Sequence, residues 1–184
     1  MGSAAEDHRI IAGVFTDRVR GVSPGDWDAP APCEGWVARD VVRHLTEWFP
    51  AFLAAGAGIT LAKGPSVDEN PVTAWTTHST AVQALLDDPR TAEKVLKNRH
   101  LGEIPVPDAV AMFYTSDVFL HTWDLSRATG QDEHLDPGRC AMMLEGMLGM
   151  DEALRQSGHY GPKVAVPPTA DPQTRLLAFI GRHP

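Results

Sequence analysis

Apolar residues recur at helical spacing over most of the chain, and Pro, Gly and Asx residues cut that pattern into segments. Ile10, Ile11, Val14, Phe15 and Val19 share one face of a first helix predicted over 6–22, which stops before Ser23-Pro24-Gly25. The stretch 26–36, rich in Pro and Gly, reads as irregular. Val41, Leu45, Trp48, Phe49 and Phe52 then line a second helix over 37–53. Pro50 is a bend or a break in it, because proline removes one intrahelical hydrogen bond. A long connection over 56–70 leads to Asn70-Pro71, an N-cap and a first-turn proline for a third helix ending near Leu86. Residues 91–106 alternate only weakly, enough for one extended piece. Pro107 opens a fourth helix that ends near Thr129, with Gly130 as its stop. Asp136-Pro137 starts a Met-rich fifth helix running to Gly158, and Val164-Ala165-Val166 reads as a short strand. Asp171-Pro172 begins a last short helix, closed by Gly181. The prediction is an all-α four-helix bundle with an additional short C-terminal helix and one short strand.

Composition changes this picture little. The 184 residues are 43% hydrophobic and 22% charged, in keeping with one soluble globular domain over 1–184. No apolar run approaches the ~20 residues of a membrane span, and the N-terminus lacks the basic-then-apolar layout of a signal peptide. A formal net charge of −8 without any basic run argues against a nucleic-acid partner. Two cysteines, Cys33 and Cys140, make no disulfide framework, so free thiols in a reducing cytoplasm are expected.

One stretch carries chemistry. In D-V-F-L-H-T-W-D-L, 117–125, the acidic and imidazole side chains of Asp117, His121 and Asp124 interrupt an apolar helical run. At 100° per residue Asp117 lies about 40° and Asp124 about 60° from His121, on one side of the helix. Burying such groups costs free energy unless they pair with polar partners or hold a cation. Asp117 and His121, four apart, meet on adjacent turns and suit two ligands of one ion. The second helix offers His44 as a third ligand, with Asp40 one turn before it. Two His and one carboxylate leave coordination positions open, as a catalytic metal site requires. A hydrogen-bonded Asp117–His121 pair is the bland alternative.

Other positions are weaker candidates. His78 faces the apolar side of the third helix near Trp75, Val82 and Leu85, where a packed core residue is the simpler reading. Asp124 suits an acceptor for an imidazole N–H, and Trp36 and Trp48 suit pocket walls. His8, His100, His134, His159 and His183 sit in termini or loops with nothing to nominate them. Cys33 in P-C-E-G-W is expected to be packed rather than reactive, and Met142, Met143, Met147 and Met150 to form a core stripe. G-x-S-x-G, a Gly-rich phosphate loop and C-x-x-C are all absent.

Three blocks in order, P-A-P-C-E-G-W-V-A-R-D-V-V-R-H-L, D-V-F-L-H-T-W-D-L-S-R-A-T-G and R-L-L-A-F-I-G-R-H-P, resemble an actinobacterial family of small metal-binding proteins in the DinB-like superfamily. That family is related to the N-terminal domain of mycothiol-dependent maleylpyruvate isomerase. The resemblance spans Trp27 to the C-terminus. It implies a DinB-like four-helix bundle holding a divalent metal, typically zinc or nickel, while a two-His, one-carboxylate set by its own chemistry also suits iron. Its ligand positions, a His on the second helix and a carboxylate–x3–His pair on a later one, fall on His44, Asp117 and His121. The isomerase-type carboxylate is Glu, so Asp117 is shorter by one methylene. The isomerase also has a further C-terminal domain contributing to its active site, whereas this sequence stops at Pro184. The superfamily includes thiol transferases that use bacillithiol or mycothiol.

The resemblance and the ligand set together imply a divalent-metal-dependent enzyme that uses a mycothiol-type thiol as nucleophile on a small electrophilic substrate, as a transferase or isomerase. The competing readings are a metal-water-dependent hydrolase, lyase or cyclase, and a non-catalytic metal-containing protein that binds a small ligand. No nucleic-acid or membrane partner is expected, and a monomer or homodimer is.

Overall fold

The computed structural model describes residues 2–98 and 102–184. Helix α1 (Ala4–Gly21) is capped by the Ser3 hydroxyl, which accepts from the Glu6 amide, and it buries Ile11, Phe15 and Val19. Helix α2 (Ala38–Ala57) passes through Pro50 without a break, since its apolar face (Val41, Leu45, Phe49 and Leu53) is held by packing on both sides of the proline. Helix α3 (Pro71–Asp87) starts at the predicted cap, with the Asn70 side chain accepting from the Thr73 amide. The fourth helix comprises α4 (Val106–Ala109), a wider π-helical turn over Val110–Thr115, and α5 (Ser116–Ala128). The π turn holds more residues per revolution, and Val110, Tyr114 and Thr115 are all buried in it.

These four rods close into a ring. Helix α1 packs on α3 and α5, and α2 packs on the same two. Between them lie Phe15 edge-on to Trp75 and the Phe49 ring stacked on Tyr114, 4.2 Å apart. Helices α6 (Pro137–Leu148) and α8 (Pro172–Phe179) pack on each other outside this ring. Arg139 on α6 is tied to α1 by a two-pronged pair with Asp7, at 2.6 and 2.8 Å.

Several expectations are corrected. Residues 164–166 form no strand: the Val164 amide donates to the Ala178 carbonyl, and among the described residues no second strand lies beside it. Among the described residues the strands are β1 (Val95–Asn98) and β2 (Gly102–Pro105), inside the stretch read as one extended piece, and they form an antiparallel pair with Leu96 opposite Ile104. The pair rests on α2 at Gly56, where a Cβ would come within 2.8 Å of the Leu96 side chain. The fifth helix breaks at Gly149-Met150, giving α6 and a short α7 (Asp151–Gln156). The methionine stripe is only partly internal: Met147 is buried, whereas Met142 and Met150 are 64% and 55% exposed. His100 lies outside the described residues. No helix among the described residues is long and apolar enough to cross a membrane.

Candidate metal centre

Helices α2 and α5 bring His44, Asp117 and His121 together. His44 sits beside the buried run of α2, and Asp117 and His121 stack on adjacent turns of α5. The His44 Nε2 is 3.0 Å from Asp117 Oδ2, and the His121 Nε2 is 3.4 Å from Asp117 Oδ1. The two imidazole centroids are 4.9 Å apart. One ligand atom from each of the three residues lies within 4.8 Å of the others. Two ligands at ~2.0–2.1 Å from a tetrahedral ion stand roughly 3.3 Å apart. The two histidine–aspartate separations, one to each Asp117 oxygen, lie close to that value, and two imidazoles with a carboxylate are donors of the type a divalent ion takes.

The supporting groups are equally defined. Trp48 donates its indole N–H to Asp117 Oδ2 at 3.0 Å, and Trp36 stacks on His121 and packs against His44. The His121 Nδ1 lies 2.8 Å from Asp124 Oδ2, leaving Nε2 to face Asp117. Side-chain exposure runs from 7% at His121 to 24% at Asp117 and 31% at His44, so solvent reaches the cluster from the His44 side.

Two of the sequence candidates lie elsewhere. Asp40 accepts from the Val37 amide at the start of α2 and pairs with Arg43. His78 is buried against Tyr114 and Trp75 in the bundle interior. His8, read as a terminal residue, is fully buried, with Nδ1 3.1 Å from the Thr115 hydroxyl.

A second group, Cys33, His121 and Asp124, is also close enough to hold an ion. Its place is already taken by a cation. Arg182 donates from Nε to Asp124 Oδ1 at 2.8 Å and from a terminal nitrogen to Oδ2 at 2.9 Å, and that nitrogen is 3.0 Å from Cys33 Sγ. Sequence reasoning missed both Arg182 and the placement of Cys33 behind His121. The only signal was that both lie in the blocks that carry the family resemblance.

The residues 8–126, containing all three proposed ligands and Asp124, match the family described as the mycothiol maleylpyruvate isomerase N-terminal domain. The chain belongs to this family. It is also 24% identical over 180 residues to uncharacterized proteins from two strains of Mycobacterium tuberculosis, covering 95% of this chain and 95% of each relative. No solved structure gives a significant match. Family membership fits the all-α fold and the short strands.

Charge organises the site. Burial pushes the His121 pKa down, but the Asp117 charge and hydrogen bonds to Asp124 and Cys33 outweigh it and raise the value to about 10. Burial likewise opposes ionisation of Asp117 and Asp124. His121 is the largest opposing influence on both, and it holds Asp117 below the usual range and Asp124 at about 2. His121 therefore carries a proton on each ring nitrogen at neutral pH in the metal-free chain. An ion taking Nε2 must displace one of them. Calorimetric titration at pH 8 in buffers of differing ionisation enthalpy is expected to record about one proton released per ion bound. Release near zero would mean that the ion does not bind at His121.

Proposed function

We propose that this chain is a divalent-metal-dependent enzyme, with zinc as the ion, that uses a mycothiol-type thiol as nucleophile in a transferase or isomerase reaction on a small electrophile. The observation that carries the proposal is the cluster of His44, Asp117 and His121, two imidazoles and one carboxylate open to solvent on one side. Three protein ligands leave at least one coordination position for a sulfur. When bound, a divalent ion balanced by one carboxylate keeps net positive charge, which lowers the pKa of a coordinated thiol.

The chain's own residues have separate tasks. His44, Asp117 and His121 hold the ion. The Trp48 N–H fixes one Asp117 oxygen, and Asp124 fixes the His121 ring by accepting from Nδ1. Trp36 covers both imidazoles and limits water on that side. In the chemistry proposed, sulfur attacks an electron-poor carbon and an S–C bond forms. A transferase keeps that bond while a leaving group departs with its electron pair. An isomerase lets the C=C electrons move onto a conjugated carbonyl, allows rotation, and expels the thiolate to restore the double bond. The protein would bind its small substrate as a monomer or homodimer.

The test is cobalt substitution. Adding mycothiol or a simpler thiol to the cobalt-loaded chain is expected to produce a new sulfur-to-metal charge-transfer band, absent in Asp117→Ala and His121→Ala. A cobalt protein that ignores thiols yet converts an electrophile without them would favour activated water instead. Binding of thiol with no product from any electrophile would favour a non-catalytic ligand-binding protein.

A further inference from the structure

Everything from residue 127 onward lies outside the family match, yet one side chain from the C-terminal end reaches the centre's back wall. Asp124 is 1% exposed, and a carboxylate that deep needs a charged partner. Arg182 supplies it through two N–H···O bonds, one to each oxygen, a geometry that fixes the carboxylate plane as well as its charge. Asp124 Oδ2 is shared: it accepts from Arg182 at 2.9 Å and faces the His121 Nδ1 at 2.8 Å. The orientation of that oxygen decides where the Nδ1–H is held, and so where Nε2 points.

The tail is built to place this arginine. Leu176, Leu177 and Ile180 are buried around the end of α8, and the Arg182 amide donates to the Leu177 carbonyl at 2.9 Å. Between them Gly181 has φ +90°, and a Cβ on it would lie 2.8 Å from the Gly161 Cα. Only glycine meets both conditions, and the turn it makes aims the next side chain inward. Cys33, from the loop before α2, closes the third side of the guanidinium.

We infer that Arg182 is a positioning residue of the metal centre, acting through Asp124 to set the His121 ring, so that the C-terminal segment completes a site whose ligands all lie within the family match. The inference rests on the metal reading above. A guanidinium serving only to fasten the tail would affect stability and leave metal binding alone.

Cobalt(II) alone is to be titrated into the full chain and its variants, with folding checked by circular dichroism. Arg182→Gln is expected to weaken cobalt binding about 10–100-fold and to alter the d–d bands. Arg182→Lys should recover only part, because an ammonium cannot make the two parallel bonds. Asp124→Asn should weaken binding comparably, and adding Arg182→Gln to it should cost little more, since both act through one ring. If Arg182→Gln binds cobalt as tightly as wild type with unchanged bands and loses only melting temperature, the inference is overturned. Should that variant not fold, full wild-type affinity in Arg182→Lys overturns it equally. If the wild type takes no cobalt, the metal reading fails, and the metal-free chain decides the clamp by NMR. There the His121 Nδ1 proton is expected as a downfield resonance that vanishes into exchange in Arg182→Gln, and a resonance unchanged by the substitution refutes the inference.

Discussion

Replacing His121 or His44 by alanine is expected to weaken zinc or cobalt binding by at least ~10³-fold. Three-to-four-ligand sites bind zinc with roughly 10–16 kcal/mol, so each ligand is worth about 4 kcal/mol, or three decades in affinity. His121→Ala should be the more severe. It removes a ligand and also the positive group that favours the ionised forms of Asp117 and Asp124 without the metal. Asp117→Asn keeps the shape of the side chain and loses the only negative ligand, so it belongs in the same range. Competition against a chromophoric chelator measures all three. Affinities within tenfold of wild type in both histidine variants would remove these residues from the ligand set.

The metal-free fold is expected to lose about 4 kcal/mol between pH 6.5 and pH 4.5 through two buried histidines. Burial holds His8 down to about 4, with Asp7 and Asp87 raising it slightly and Arg9 lowering it. Burial, then the neighbouring His8, likewise holds His78 at about 4. Unfolded histidine titrates near 6.5, so the unfolded chain takes up protons first as pH falls. The stability is therefore present above about 6.5 and declines as pH drops toward about 4, by about 2 kcal/mol for each residue over that window. Against a typical total of about 5–15 kcal/mol this is a large fraction. The window isolates the pair. His121, raised to about 10, is protonated in both states below 6.5 and loses its contribution only as pH rises toward 10. Asp124, at about 2, loses its own only at lower pH. Urea unfolding of the chelator-treated protein at the two pH values should show the loss, and His78→Leu should halve it. An undiminished loss in both His78→Leu and His8→Leu would mean that other groups set the acid limit.

The sequence made the bundle legible because its signals were redundant. Apolar spacing, Asn70-Pro71 and Gly130 independently mark the ends of helices that the structure places within a residue or two. The errors fall where local pattern and tertiary context part. Val164-Ala165-Val166 has strand composition but no partner among the described residues, whereas β1 and β2 bury little beyond Leu96 and so showed only as one weakly alternating extended piece. The π turn over Val110–Thr115 leaves no mark in the apolar spacing of the sequence. The proximity of His44, Asp117 and His121 was foreseeable because two of the three share a helix face at four-residue spacing. Arg182 was not, because only the packing of α8 and the turn at Gly181 carry it to Asp124. His8 stands between these cases. It continues the buried line of Ile11, Phe15 and Val19 one turn toward the N-terminus, so its burial could have been read from position despite its polarity.

The most direct measurement is anomalous scattering from crystals of the cobalt- or zinc-loaded chain, recorded on both sides of the metal's absorption edge. A single peak is expected within about 2.0–2.2 Å of His44 Nε2, His121 Nε2 and an Asp117 oxygen, with Arg182 still against Asp124. A peak between Cys33 and Asp124 with the guanidinium displaced, or no peak near α2 and α5 at full metal loading, would contradict it.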